Sequence, residues 1–178
     1  MSAFASWLAD VLHEHKSDVS RLLQDETALH FLITWSLFES KCFSGFSKAK
    51  CLGPFADQAV QEGFAPLTVS GQLDHFHFRY RDVRKLANLL HDEKTPDAVI
   101  ADFKRCLATP VASLAARDRV FAVVFVIYRF RNNMFHGNKR VESWLRYREQ
   151  ISLCTEAMQK FITHAERVKP TMHVPVAA

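Results

Sequence analysis

The sequence predicts an all-α protein, and three observations support this prediction. Only five of the 178 residues are glycine and six are proline, so long stretches run without a chain breaker. Apolar residues make up 48% of the chain, and in several segments they recur at three- and four-residue steps. Fifteen phenylalanines can fill a self-sufficient core. We therefore expect one helical domain over residues 1–178, with a loose tail over 171–178.

The N-terminal part is predicted to form two helices. Residues 2–16 predict a short helix, and a longer one is predicted over residues 25–46. In the longer helix, one stripe of apolar side chains follows the helical period: Ala28, Leu32, Trp35, Cys42 and Phe46. Glu39 falls inside this stripe, and a carboxylate on an apolar face needs a partner or a water-filled cleft. Glu39 is therefore a candidate site residue.

The middle of the chain alternates between breakers and helical patterns. Residues 47–70 contain Gly53-Pro54 and Pro66, and predict an irregular connection with one short helix after Pro54. Helical spacing returns over residues 72–91, where one stripe comprises Leu73, Phe76, Tyr80, Val83, Ala87 and Leu90. Pro96 fits the first turn of a further short helix that ends before Pro110.

The most hydrophobic helix is predicted over residues 113–136. Its segment 120–128 is rich in β-branched and aromatic residues, which also suit a buried strand. A helix is favoured because Ser113 can cap its start and Gly137 can end it. A helix that is apolar on nearly every side belongs at the centre of a bundle.

The last helix is predicted over residues 141–168. Its apolar side chains alternate by three and four residues along one seam: Trp144, Tyr147, Ile151, Cys154, Met158, Phe161, Ala165 and Val168.

Charge and composition limit the class of protein. The net charge is +4 and the pI is about 9.0, which is compatible with an anionic partner such as RNA. The longest apolar run is far short of the ~20 residues that span a bilayer, and the N-terminus lacks a signal peptide's basic region. Four cysteines without a CxxC pair predict reduced thiols. We expect a cytoplasmic protein with no membrane contact.

An arginine followed by a histidine at short spacing occurs several times, so spacing alone decides nothing. Arg84 precedes His91, Arg129 precedes His136 and Arg167 precedes His173. The context of Arg131 and His136 is more specific. This arginine is followed at once by Asn132 and the histidine by Gly137, at the end of the most hydrophobic predicted helix.

The segment YRFRNNMFHGNK, with FLITWSLFES upstream, resembles the HEPN superfamily. The resemblance is close over residues 120–139 and only architectural elsewhere. It implies an up-and-down helical bundle that forms a homodimer, commonly a metal-independent endoribonuclease without a cofactor. Many members are toxins or phage-defence effectors with a nucleotidyltransferase-type antitoxin, which would here be a separate protein. By motif position, Arg131 and His136 are the expected catalytic residues, and Asn132 is the polar residue after the arginine.

The chemistry suits these residue types. RNA is cut when its 2′-hydroxyl attacks the adjacent phosphorus, which requires a base, an acid and positive charge at the phosphate. Histidine can serve as acid or base near neutrality, and the arginine fork matches phosphate oxygens. Asn132 lies four residues before His136, so it can orient the imidazole on a shared helix face. One chain supplies one such histidine, so we expect a composite site across a two-fold dimer.

Other interpretations remain open at this stage. Arg131 and His136 could simply interact with the negative end of a helix dipole, and Glu39 could be a structural partner of Arg131. The chain could also be a non-catalytic HEPN module that binds RNA or a protein. Two groups superficially suggest metal ligands, Asp74-His75-x-His77 and His13-Glu14-His15. Residues two apart on a helix diverge, so no metal is expected. Further candidate RNA contacts are Arg129, Lys139 and a basic face, or plain solvated face, of Arg79, Arg81, Arg84 and Lys85.

Overall fold

The computed structural model describes residues 2–43, 48–91, 95–135 and 145–168. In these residues there are nine α-helices, three short 3₁₀ helices and no strand, which confirms the all-α prediction. The α-helices are α1 (Ala3–Leu12), α2 (Lys16–Gln24), α3 (Glu26–Cys42), α4 (Leu52–Gln61), α5 (Ser70–Tyr80), α6 (Val83–Leu90), α7 (Asp97–Ala108), α8 (Ala116–Phe135) and α9 (Arg148–Val168). The 3₁₀ helices are Ala49–Cys51, Pro66–Val69 and Val111–Ser113. The predicted tail over 171–178 lies outside the described residues.

The predicted first helix over 2–16 is shorter, and a second helix follows it. Ser2 caps α1 by accepting a hydrogen bond from the Ala5 N–H at 3.2 Å. His13 then takes a left-handed conformation with φ of 54°, which ends α1. The chain starts again as α2 at Lys16.

Helix α3 begins where its prediction began but buries a different face. Asp25 caps it by accepting from the Thr27 N–H at 2.9 Å. Its buried side chains are Phe31, Thr34, Trp35 and Phe38, so only Trp35 of the predicted stripe is fully buried. The two phenylalanines offer more area to bury than the predicted Ala28 and Cys42, and the helix is rotated accordingly. Phe46 lies outside the described residues.

The predicted helix over 72–91 is two helices. The Asp82 carboxylate accepts hydrogen bonds from the backbone N–H groups of Arg84 (2.9 Å) and Lys85 (3.0 Å), so it caps a new helix, α6. Leu73, Phe76 and Tyr80 are buried as predicted, whereas Val83 beyond the break is 79% exposed. Helix α7 matches its prediction after Pro96.

Helix α8 is the central helix, as predicted. Every residue from 120 to 127 is buried, and Phe125 stacks on Phe103 of α7 with ring centroids 4.2 Å apart. The helix begins at Ala116, because Ser113 belongs to a 3₁₀ helix instead of capping α8.

The seam of α9 is confirmed for its middle residues. Ile151, Cys154, Met158 and Phe161 are buried, whereas Val168 at the end is 39% exposed. Trp144 and the predicted start at Val141 lie outside the described residues.

Helices α3 and α9 make the most extensive helix–helix contact of the described structure. Arg148 at the start of α9 pairs with Asp25 at the start of α3, with Nε and Oδ2 3.1 Å apart. Near the other ends, Lys41 Nζ lies 2.9 Å from Glu166 Oε1. The N-terminal ends of α3 and α9 therefore lie together, as do their C-terminal ends, so the two helices run parallel.

The main hydrophobic core draws its buried side chains from α3 through α9. The buried residues of α1 and α2 are the small Ala5, Ala9 and Val19, which lie outside this core. No helix in the described part of the chain is long and apolar enough to cross a membrane.

Candidate functional site

The last turns of α8 carry the motif, and successive side chains there meet different neighbours. Phe130 packs edge-on against Tyr147, with ring centroids 6.1 Å apart and planes at 81°. Arg131 faces α3, and Arg129 faces the end of α6. The motif helix is therefore held by three other parts of the fold.

Arg131 is restrained from two sides. Its guanidinium carbon lies 5.6 Å from the centre of the Trp35 ring on α3, which is within cation–π range. Its Nη1 donates to Asn132 Oδ1 at 3.1 Å. Asn132 is 5% exposed, whereas Arg131 is half-buried. The structure thus presents an oriented, half-buried arginine at the end of the central helix.

Asn132 was predicted to orient His136. In the described residues, Asn132 contacts Arg131. Its amide oxygen accepts from Arg131. An amide also carries two N–H donors, so a contact with the imidazole is still chemically possible. His136 and Lys139 lie outside the described residues, and the geometry of the Arg131–His136 pair stays a prediction.

Glu39 lies on the same helix as the ring that Arg131 contacts. It follows Trp35 by four residues and therefore shares its side of α3. Glu39 is half-buried. A contact between Glu39 and Arg131 stays a prediction.

Arg129 is not a surface residue. Its side chain is fully buried, with Nε donating to the Leu89 carbonyl at 2.9 Å and Nη1 to Thr95 Oγ1 at 2.8 Å. The expected surface position of Arg129 is therefore wrong, and its contact with an RNA phosphate, which would require local opening, stays a prediction. The sequence did hold a signal, since a central helix buried on all sides leaves its arginine no exposed face.

The four basic residues of the predicted RNA face are in two different environments. Arg81, Arg84 and Lys85 are exposed around the start of α6. Arg79 is half-buried, and its guanidinium carbon lies 5.9 Å from the Tyr80 ring centre and 5.8 Å from that of Tyr147. Arg79 therefore helps to pack α5 against the start of α9.

A polar cluster that was not foreseen joins α5 to α9. His75 Nδ1 lies 3.9 Å from Glu149 Oε1, and Gln150 Nε2 lies 3.4 Å from His75 Nε2. Burial lowers the pKa of His75, and the Glu149 carboxylate opposes this effect. His77 Nε2 instead lies 2.9 Å from the Thr109 carbonyl oxygen, so these two histidines have separate partners.

Three of the four free cysteines have poor nucleophilic character. Cys106 and Cys154 are buried, and Cys42 is partly buried. Burial raises the pKa of Cys42 to about 12 and that of Cys106 to about 11, and it also raises the pKa of Cys154. Thiolates are the reactive form, so these three residues are unsuited to nucleophilic catalysis at neutral pH.

An open groove of about 560 Å³ lies away from the motif. Its described lining comes from residues 63–68 and from the later turns of α9. Lys160 in this groove donates to Gln72 Oε1 at 3.0 Å, and Glu156 accepts from the same amide at 2.8 Å. Lys160 and Glu156 are thus linked through the Gln72 amide. The charges of this groove do not indicate a particular class of ligand.

No protein-family model matches the chain, and searches of curated proteins and of solved structures found no match. The resemblance to the HEPN superfamily therefore depends on the motif and its place in the fold. Among the described residues, no group of three His, Cys, Asp or Glu side chains is arranged to hold a metal ion.

Proposed function

We propose that this protein is a HEPN-type, metal-independent endoribonuclease that acts as a homodimer with a composite site. Arg131 and His136 are the proposed catalytic residues, and Asn132 and Glu39 are the proposed supporting residues. The observation that supports this most is the restrained Arg131 guanidinium, stacked near Trp35 and bound to Asn132, five residues before a histidine.

The proposed reaction is an internal phosphoryl transfer. A base takes the proton of the 2′-hydroxyl, the oxygen forms a bond to phosphorus, and the bond from phosphorus to the 5′-oxygen breaks. The leaving oxygen takes a proton from an acid, so the products are a 2′,3′-cyclic phosphate and a 5′-hydroxyl. We assign the two proton transfers to the two copies of His136. Arg131 stabilises the negative charge that builds up on the phosphate oxygens.

The exposed cations at the start of α6 are proposed contacts for an RNA strand. The end of α6 is tied to α8, because the Leu89 carbonyl accepts from Arg129 Nε (2.9 Å) and from Asn133 Nδ2 (3.3 Å). The exposed Arg84 and Lys85 belong to the first turn of that same short helix. These two cations are proposed phosphate contacts on the α6 side of α8, the side that carries Arg129 and Asn133.

Cleavage of a labelled single-stranded RNA in EDTA tests the proposal. His136→Ala should lower the rate by about 10²- to 10⁴-fold, the usual effect of losing a proton-transfer group. Arg131→Ala should lower it by about 10²-fold or more. Arg131→Lys retains the charge but loses the fork, and should remain impaired. The product ends should be a cyclic phosphate and a 5′-hydroxyl.

Matched controls separate catalysis from folding. Arg21→Ala and His15→Ala remove the same residue types from exposed positions on or beside α2 and should leave the rate unchanged. Circular dichroism melts show whether Arg131 variants keep the fold, since Arg131 also packs near Trp35. Cleavage that survives in folded Arg131→Ala and His136→Ala proteins would sink the site assignment.

Two outcomes decide between the proposed roles. RNA that is bound but never cut favours the alternative, a non-catalytic HEPN module that binds RNA or a protein partner. Cleavage that stops growth when the protein is expressed favours a toxin or phage-defence effector. In that case we propose a separate nucleotidyltransferase-type protein as its antitoxin.

A further inference from the structure

Two helices of the described structure each carry a row of apolar side chains that are about half exposed. On α1, Phe4, Trp7 and Val11 lie on one side and are 55%, 56% and 54% exposed. On α3, a second row recurs every four residues: Leu29, Ile33 and Leu37, which are 54%, 53% and 47% exposed. We call these rows the α1 stripe and the α3 stripe.

Among the described residues, the helix pair α1–α2 contributes no side chain to the main hydrophobic core. The opposite side of α1 buries Ala5 and Ala9, and α2 buries Val19, but these small residues lie outside the main core. Helices of about ten residues are marginal in water without tertiary packing. A short helix that is apolar on two sides is expected to be covered on both.

We propose that the α1–α2 pair is an arm that docks on α3 of a second copy of this chain. The α1 stripe of one protomer packs on the α3 stripe of its partner. Two-fold symmetry then repeats the contact, because the partner's arm packs on the first protomer's α3. Each protomer thus supplies both halves of the interface.

The dimensions of the two stripes fit this occupant. The α1 stripe covers seven helical steps and the α3 stripe covers eight, or about 10 and 12 Å at 1.5 Å per residue. The exposed parts of the six stripe side chains amount to roughly 600 Å² per protomer, a large share of the ~800 Å² that each partner of a standard interface buries.

A lipid surface suits the α1 stripe less well than a protein does. Amphipathic helices that bind membranes carry Lys or Arg on their polar face. Helix α1 contains neither, and its one charged residue is Asp10. On α3, Lys41 already pairs with Glu166 of the same chain.

The arm contact assigns an interface to the proposed homodimer, and it does not depend on ribonuclease activity. Trp35, which Arg131 contacts, lies on the core side of α3, roughly opposite the α3 stripe on a helical projection. Dimerisation through the arms and the composite site are therefore separate claims. Light scattering tests the first, and RNA cleavage tests the second.

The test measures the mass of the full chain by size exclusion with light scattering. The wild type should be a dimer at micromolar concentration. Trp7→Glu or Ile33→Glu should each raise the dimer dissociation constant by about tenfold or more, since each places a charge in the apolar contact. Phe78→Glu and Leu67→Glu serve as matched controls, because they are 83% and 72% exposed outside the two stripes and should leave the dimer intact.

A mixture of the two variants tests the exchange itself. A pair made of Trp7→Glu and Ile33→Glu chains retains one native arm on one native α3, whereas each variant alone retains none. The mixture should therefore form heterodimers, visible by native mass spectrometry with a size tag on one chain. Self-pairing of like stripes predicts no such rescue.

Three results would overturn the proposal. They are a monomeric wild type, a dimer that both glutamate variants leave unchanged, and a mixture that forms no heterodimer. Circular dichroism confirms that each variant keeps its helices, so a loss of mass reports on association. A wild type that binds anionic vesicles and stays monomeric would point to lipid instead.

Discussion

Asp118 near the start of α8 is held by two arginines. Its carboxylate accepts two hydrogen bonds from Arg105, both of 2.9 Å, and one from Arg117 Nη1 of 3.2 Å. The hydrogen bonds from Arg105 hold the pKa of the Asp118 carboxyl below its usual value, and burial opposes them. This network ties α7 to the start of the central helix.

The same network gives a pH dependence. The carboxyl pKa is lower in the folded chain than its unfolded value of about 3.9, so the stabilisation is complete above that value and is lost as pH falls through the folded pKa. Asp118→Asn should cost about 1–2 kcal/mol at pH 7, a moderate figure because solvent screens the half-exposed Arg105. Urea unfolding should show a smaller loss between pH 5 and pH 2 for this variant than for wild type. An equal acid loss in both proteins would contradict the assignment, and exposed Asp74→Asn is the control.

At the residue scale, the sequence indicated where the candidate site lies but not what each side chain contacts. It placed Arg131 and Asn132 at the end of a buried helix, where the structure has them. It could not show that Arg129 would point at the Leu89 carbonyl, because that acceptor depends on where α6 ends. Long-range partners of this kind leave no periodic signal in one chain.

The start of α6 depends on one side chain. Asp82 accepts from the N–H groups of both Arg84 and Lys85. Asp82→Ala should lower the free energy of unfolding because the first turn of α6 loses its N-cap, whereas Asp82→Asn retains an acceptor and should cost less. Urea unfolding curves measure both. Equal stability of all three proteins would mean that the cap contributes nothing to this helix.

At the element scale, strong apolar periodicity predicted the positions of helices reliably, whereas the residues that start and end helices were harder to identify. Helices α7 and α8 lie where their patterns placed them, and α9 follows its predicted seam from Arg148, because Tyr147 in that seam lies in a turn. The period of residues 72–91 runs through Asp82, so it concealed the break between α5 and α6. Helix α2 was missed altogether, because polar residues dominate it and only Val19 is buried.

The whole molecule is held together by aromatic packing between α9 and its neighbours. The Phe161 ring lies 4.6 Å from that of Phe64, 5.6 Å from that of Phe55 and 6.0 Å from that of Phe38. Phe161→Ala should lower the free energy of unfolding by about 3–5 kcal/mol, through lost burial and a cavity. Phe78→Ala, at an 83% exposed position, should change it by less than about 0.5 kcal/mol. Similar unfolding midpoints for the two variants would disprove this account of the core.

At the scale of the whole molecule, the sequence predicted the class of fold but not the pairing of its helices. The apolar faces of α3 and α9 are both visible in the sequence. Their parallel alignment brings together Arg148 with Asp25 and Lys41 with Glu166, which are ion pairs between distant parts of the chain. Many other charges in the sequence could have paired equally well.

The parallel α3–α9 pair also affects how the chain is made. Arg148 lies 3.4 Å from Thr27, a residue 121 positions earlier. A ribosome that adds ~5–20 residues per second needs roughly 6–24 s to make that stretch. During this time the face of α3 that carries Phe31 and Phe38 has no α9 to pack against. The nascent chain therefore presents this aromatic face to chaperones, and to other nascent copies, before its own last helix exists.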